Sequence, residues 1–223
     1  MTKTLFITGA SSGIGAATAR AAVKDGWNVG LFARSEDKLK TLAEDLGDKA
    51  VVLPGDATKE AEQKQAIETL VNRFGSLDAV FANAGRGTSA GGTQGGDPED
   101  WKGMVDLNIM GALYTAHAAL PHLEKSKGQF VVTGSAAGRS HIKGSIYGAT
   151  KWFIHGWAGN LAEEMREWGG RCMVIAPGMV NTAFFDEAKP DKLQPEDVAD
   201  AVMHGLNAPK HASVREIFIM PNS

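Results

Sequence analysis

The chain has 223 residues, a length that suits one α/β domain, and 43% of them are hydrophobic, enough to build a buried core. Its formal net charge is -3 and it carries no lysine or arginine run, which argues against a nucleic-acid partner. The only cysteine, Cys172, excludes an internal disulfide, suits a reducing cytoplasm, and sits in an apolar run where a small buried hydrophobe is the plainer reading than a nucleophile.

The first strand is expected at residues 5–8, leaving no room for a signal peptide before it. No apolar stretch approaches the ~20 residues that cross a bilayer, so a cytoplasmic chain without a membrane partner is expected. Directly after that strand comes Thr8-Gly9-Ala10-Ser11-Ser12-Gly13-Ile14-Gly15, running into a helix. Glycines let the backbone turn sharply and approach a pyrophosphate, and a helix N-terminus offers free N–H groups and a positive dipole end. A merely tight strand-to-helix turn would read the same way in isolation. At the first βα junction of a doubly wound sheet, the dinucleotide reading is favoured.

A second strand, 28–33, leads through Ser35 as N-cap into a helix with the stripe Leu39, Leu42, Ala43 and Leu46, stopped by Gly47. Strand 50–54 follows, then a helix from near Thr58 with Ile67, Leu70, Val71 and Phe74 at helical spacing, ending at Gly75. Strand 78–82 opens into a loop, 85–97, whose Gly87, Gly91, Gly92, Gly95 and Gly96 predict mobility beside a ligand site. Strand 129–133 precedes a helix over 145–168, and strand 171–176, a helix from Pro195 and strand 216–220 complete the chain. That helix carries Ile154, Trp157, Ala158, Leu161, Met165 and Trp168, with Trp152 and Phe153 beside them, more apolar surface than one sheet face needs. Most strands lack polar alternation, as parallel strands covered on both faces do. The alternation predicts an α/β fold with one open, doubly wound, seven-stranded parallel sheet and helices on both faces.

The spacing Gly9-x-x-x-Gly13-x-Gly15 resembles the short-chain dehydrogenase/reductase family, and further motifs fall in register along almost the whole chain. They are Asp56 after the third strand, Asn83-Ala84-Gly85 after the fourth, and Asn108-x-x-Gly111 in the next helix. Ser135 ends the fifth strand, Tyr147-x-x-x-Lys151 opens the following helix, and Pro177-Gly178-x-Val180-x-Thr182 follows the sixth strand. The tail, from Leu193 to Ala199 and from Ile217 to Pro221, looks closest to the 3-hydroxy acid (serine) dehydrogenase-like branch.

The resemblance implies a Rossmann-type domain over residues 1–223 that binds a nicotinamide cofactor and moves a hydride between it and a carbonyl/alcohol pair. In that reading Tyr147 is the general acid/base and Lys151 holds the nicotinamide ribose and lowers the Tyr147 pKa. Ser135 holds the substrate oxygen, and Asn108 opens its helix and carries a water that links Lys151 to solvent. The cofactor would lie along Gly9, Ser11, Ser12, Gly13, Ile14, Gly15, Asp56, Ala57, Asn83, Ala84, Gly85, Pro177, Gly178, Val180 and Thr182. The family also pairs its helices across two-fold axes, implying a homodimer or homotetramer. One departure is a Ser135-to-Tyr147 spacing one residue shorter than the common pattern. The deletion falls in 139–144, at the substrate pocket, where it bears on specificity.

Cofactor choice is read from the end of the second strand, Ala33-Arg34-Ser35, where no acid faces the ribose 2′-OH. Ala33 leaves space and Arg34 offers a guanidinium, so NADP(H) is expected. His117, His122, His141, His155, His204 and His211 show no metal-ligand spacing, and no metal is expected. Arg86, Arg139, His141 and Lys143 are candidate carboxylate contacts, although four solvated loop charges are the commoner case. The substrate is a small-molecule carbonyl or alcohol, with small 3-hydroxy acids one candidate. A catalytically silent NADP-sensing protein on the same fold is the alternative.

Overall fold

Each β-rich run forms a strand, and the seven strands make one all-parallel sheet in the order β3-β2-β1-β4-β5-β6-β7. The computed structural model describes residues 2–87, 92–185 and 187–222. The strands are β1 Thr4–Thr8, β2 Asn28–Ala33, β3 Ala50–Pro54, β4 Ala79–Ala82, β5 Gln129–Thr133, β6 Arg171–Pro177 and β7 Glu216–Ile219. Between them run α1 Gly13–Lys24, α2 Glu36–Leu46, α3 Glu60–Phe74, α4 Pro98–Val105, α5 Ala112–Ser126, α6 Ile146–Arg166 and α7 Pro195–Leu206.

Strand side chains alternate between the two faces, and each face has its own core. In β1, Phe6 joins a cluster with Ile67 and Leu70 of α3, Leu123 of α5 and Leu161 of α6. Its neighbours Leu5 and Ile7 join Ala19 of α1, Leu39 of α2 and Val202 of α7 on the other face. Both faces are covered, which is why the strand sequences show no polar alternation. The strand order reverses between β1 and β4, and open α/β sheets bind ligands at the carboxyl ends of the strands at such a reversal.

Element boundaries move by a residue or two from expectation. Ser35 does precede α2, but its hydroxyl makes no capping bond. Helix α3 begins at Glu60 rather than Thr58, because Asp56 Oδ1 accepts from Thr58 N at 2.9 Å and holds that stretch as a turn. Between α4 and α5 the helix widens into a π-helical turn, Asp106–Gly111. Gly91 of the glycine-rich loop lies outside the described residues. Further along that loop Gly92 N donates to Gly144 O at 3.1 Å, and Asp97 Oδ1 caps α4 by accepting from Glu99 N at 3.0 Å.

Candidate active site

The turn after β1 is built for close approach. Gly9 has φ +67 and Gly13 φ +51, a region that disfavours side chains. A Cβ on Gly15 would stand 2.3 Å from Gly9 O, so the turn closes only with glycine there. Ser12 occupies the N-cap of α1 without a side-chain capping bond, leaving first-turn amides for an anion. Ser11 and Ile14 lie half-buried on this turn. A Cβ on Gly13 would come within 3.1 Å of Thr182 Cγ2, so the stretch from Pro177 through Gly178 and Val180 to Thr182 folds back over the glycines. A parallel bridge between Val180 and Leu193 anchors that stretch. The pyrophosphate of a dinucleotide fits this donor set.

Asn83 is committed to the fold. Its Nδ2 donates to Thr8 O at 3.2 Å, its Oδ1 accepts from Thr133 Oγ1 at 3.2 Å, and its backbone N donates to Thr8 Oγ1 at 3.0 Å. Ala84 N shares that hydroxyl, so Asn83-Ala84-Gly85 locks the ends of β1, β4 and β5 together. On the other side of β1, Gly55 N donates to Ala33 O at 3.0 Å, setting Asp56 and the buried Ala57 beside the end of β2. Arg34 is exposed there.

Tyr147 is the second residue of α6, whose N-cap Ser145 accepts from Gly148 N at 2.9 Å. Its hydroxyl is hydrogen-bonded to Ser135, which ends the stretch after β5. Lys151 lies one turn further along, 4% exposed, with Nζ 5.7 Å from the Tyr147 ring centre. That ammonium donates to Thr133 O at 2.7 Å. Burial pulls the Lys151 pKa from 10.5 down to about 8. The Tyr147 pKa is raised, against the lowering expected from the sequence: burial outweighs the Ser135 hydrogen bond, and the Lys151 charge is turned to a carbonyl.

Asn108 sits buried in the π-helical turn. Its Oδ1 accepts from Arg86 N at 2.9 Å, while Nδ2 donates to Arg86 O at 2.9 Å and to Thr150 Oγ1 at 3.2 Å. Thr150 in turn donates to Tyr147 O at 2.8 Å, so Asn108 reaches the Tyr147 backbone through one hydroxyl.

The sequence pattern of the short chain dehydrogenases matches residues 3–193. The chain belongs to the short-chain dehydrogenase family. This short-chain dehydrogenase is 40% identical to an uncharacterized oxidoreductase of Staphylococcus aureus over 98% of its own length and 97% of the relative's. An alcohol dehydrogenase of the archaeon Thermococcus sibiricus, solved with 5-hydroxy-NADP, superposes with a TM-score of 0.91 at 30% identity, covering 100% of this chain and 97% of that one. Escherichia coli serine dehydrogenase superposes with a TM-score of 0.90 at 28% identity, covering 98% and 97%. The short-chain dehydrogenase is thus an oxidoreductase on a Rossmann-like fold. No helix among the described residues is long and apolar enough to cross a membrane.

Of the four candidate carboxylate contacts, Arg86 is bound by Asp100 at 2.6 Å and Arg139 by Glu216 at 2.7 Å. His141 stacks on Trp152 with ring centres 5.4 Å apart, and Lys143 is exposed. Sequence reasoning missed Phe184, whose ring lies 5.5 Å from that of Tyr147 and against Gly87, making an aromatic wall between two loops. Nothing in the sequence marks it. It also missed Thr150 and His155, although both share helix α6 with Lys151 and His155 lies one turn beyond it.

Proposed function

We propose that this short-chain dehydrogenase interconverts an alcohol and its carbonyl using NADP(H), with residues 1–223 acting as one domain. The observation that carries the reading is a Tyr147 hydroxyl bonded to Ser135, with Lys151 buried one turn away, beside a turn able to hold a pyrophosphate. The nicotinamide, when bound, supplies the hydride that adds to the carbonyl carbon. Ser135 and Tyr147 hydrogen-bond the carbonyl oxygen and fix its position. Tyr147 then gives its proton to that oxygen as charge develops, and takes one from the alcohol in the reverse direction. Its raised pKa keeps the phenol protonated and ready to donate, and the Ser135 hydrogen bond favours the phenolate left behind.

NADP(H) rather than NAD(H) is supported by Ala33 and the exposed Arg34 at the end of β2, and by the NADP analogue bound to the Thermococcus sibiricus relative. The likeness to serine dehydrogenase speaks for a small 3-hydroxy acid as substrate. The pairing of Arg86 and Arg139 with carboxylates, and the Phe184 wall beside Tyr147, speak for an uncharged carbonyl compound, which we place first. Exposed Trp152 and Phe153 on α6 support a homodimer or homotetramer, and the thiol of the lone Cys172, pushed up to about 12 by burial, suits an inert core residue of a cytoplasmic protein.

The test is Tyr147→Phe, assayed with NADPH against simple ketones, aldehydes, 3-keto acids and their esters. Loss of one general acid is expected to lower turnover ~10²–10⁴-fold while NADPH binding persists. Activity within a few-fold of wild type refutes the assignment. NADPH binding with no turnover on a broad panel by wild type favours the silent sensor.

A further inference from the structure

His155 and Glu216 have no part in the chemistry above, yet they form a half-buried polar cluster directly behind Ser135. On α6, His155 follows Lys151 by one turn, and its imidazole is 13% exposed. Its Nε2 accepts from Ser135 N at 3.4 Å, and its Nδ1 lies 3.5 Å from Glu216 Oε1 on β7. Glu216 Oε1 is buried without a hydrogen bond, while Oε2 accepts from Arg139 at 2.7 Å. The glycines that flank Ser135 make room for the ring. A Cβ on Gly134 would stand 2.6 Å from His155 Nε2, and one on Gly138 would stand 2.8 Å from Cδ2.

We propose that His155 is a positioning residue for the reaction at Tyr147: oriented by Glu216, it accepts the Ser135 N–H and so holds the peptide that aims the Ser135 hydroxyl at Tyr147. The inference rests on the proposed reading of Tyr147 and Ser135. The physics is that of a ring with two nitrogens in opposite roles. Accepting the Ser135 N–H at Nε2 places the proton of the neutral imidazole on Nδ1, the nitrogen that faces Glu216 Oε1 at 3.5 Å. Ser135 then has three restraints: its N–H on His155, its hydroxyl accepting from Ala137 N at 3.1 Å, and the same hydroxyl bonded to Tyr147. A hydroxyl that must meet a carbonyl oxygen within a few tenths of an ångström gains rate from such a frame.

Protonation undoes the arrangement, because a second ring N–H would face the Ser135 N–H. The groups around the ring are Glu216 and Arg215 at β7, Arg139 after β5, Lys151 on its own helix and Cys172 on β6. Burial, with Arg139 and Lys151, holds the His155 pKa below the ordinary imidazole value, while Glu216 and the Ser135 backbone oppose it. The neutral ring therefore prevails at neutral pH. Two surface cavities, of about 460 and 190 Å³, are lined in part by His155 and give protons access to it.

The experiment compares His155→Gln, whose side-chain carbonyl reaches the Nε2 position, with His155→Leu, on any carbonyl substrate the wild type reduces. His155→Leu is expected to lower kcat about three- to tenfold, the range for one lost neutral hydrogen bond, with KM for NADPH unchanged. His155→Gln is expected to recover most of that loss. In wild type kcat should fall as pH drops below the ordinary imidazole value, and this acid limb should be absent from His155→Gln, which has no titrating ring. Should His155→Leu fail to fold by circular dichroism, Glu216→Gln takes its place: it frees the ring to choose either tautomer, and an intermediate loss of kcat is expected. Wild-type kcat in His155→Leu or Glu216→Gln, equal losses in the Gln and Leu variants, or an unchanged acid limb in His155→Gln each overturn the proposal. None of these results touches the Tyr147 reading, which stands or falls on Tyr147→Phe.

Discussion

Burying Lys151 costs stability, and the cost has a pH signature. The side chain is enclosed, its pKa is about 8 instead of 10.5, and the cause is loss of solvation. Below pH 8 the lysine is protonated in both folded and unfolded chains, and the folded state carries the full penalty. Between pH 8 and 10.5 the unfolded chain holds the proton more tightly than the folded one, so stability rises with pH across that window. A difference of 10.5 against 8 corresponds, at 1.36 kcal/mol per unit, to about 3 kcal/mol in full, most of it reached by pH 10. The assay is urea denaturation followed by tryptophan fluorescence, without added NADP(H), at pH 7, 8, 9 and 10, on wild type and Lys151→Met. Other lysines and tyrosines titrate in both proteins, so the difference between the two curves isolates this group. Relative to the variant, wild type should gain about 2–3 kcal/mol from pH 7 to pH 10. Parallel pH dependences would mean that Lys151 is solvated in the folded chain, and the account of it as a buried cation would fail.

At the other end of the cofactor site, Arg34→Ala should raise KM for NADPH about ten- to hundredfold with little effect on NADH, since a hydrogen bond to a charged group contributes roughly 1.5–3 kcal/mol. Adding Ala33→Asp should invert the preference, and steady-state kinetics that weaken for both cofactors alike refute the role of Arg34. Gly15→Ala places a methyl against Gly9 O, so it should abolish NADPH binding in a fluorescence titration or destabilise the fold by about 1–3 kcal/mol; a variant unchanged in both respects contradicts the turn geometry. A 3-keto acid should be reduced no faster than its methyl ester, because Arg86 and Arg139 already hold carboxylates, and a strong preference for the free acid would count against that reading. Light scattering at micromolar concentration should give a dimer or tetramer, and a monomer would leave Trp152 and Phe153 without a role.

The sheet was legible because its signal is local. Buried strands such as Val29 to Phe32 are apolar throughout, and Gly47 and Gly75 mark helix ends where the chain turns left-handed or leaves the helix. Tyr147 and Lys151 were legible as a pair because four residues of helix place them on one face. What escaped depends on segments distant in sequence. Arg139 meets Glu216 because β6 and β7 bring residue 216 beside the loop after β5, a proximity that spacing cannot encode. Phe184 reaches Tyr147 from the far side of the cleft in the same way. Burial raises the Tyr147 pKa, and the lysine one turn away aims its charge at Thr133 O, a choice of rotamer that the sequence does not specify.

The widened turn at Asn108 is also a matter of counting. An α-helix advances each residue by about 100°, and a π-helical turn takes in one residue more than an α-turn without advancing the helix beyond it. Helices α4 and α5 therefore meet in a phase that a continuous α-helix of the same sequence would miss by about 100°. Deleting any one residue of Asp106–Gly111 would restore the ordinary count and swing either Asn108 away from Arg86 and Thr150 or the apolar stripe of α5 away from the sheet. The segment is intolerant of length change in a way that no single substitution would disclose, and a scan of one-residue deletions across it would reveal a phase constraint hidden from alanine scanning.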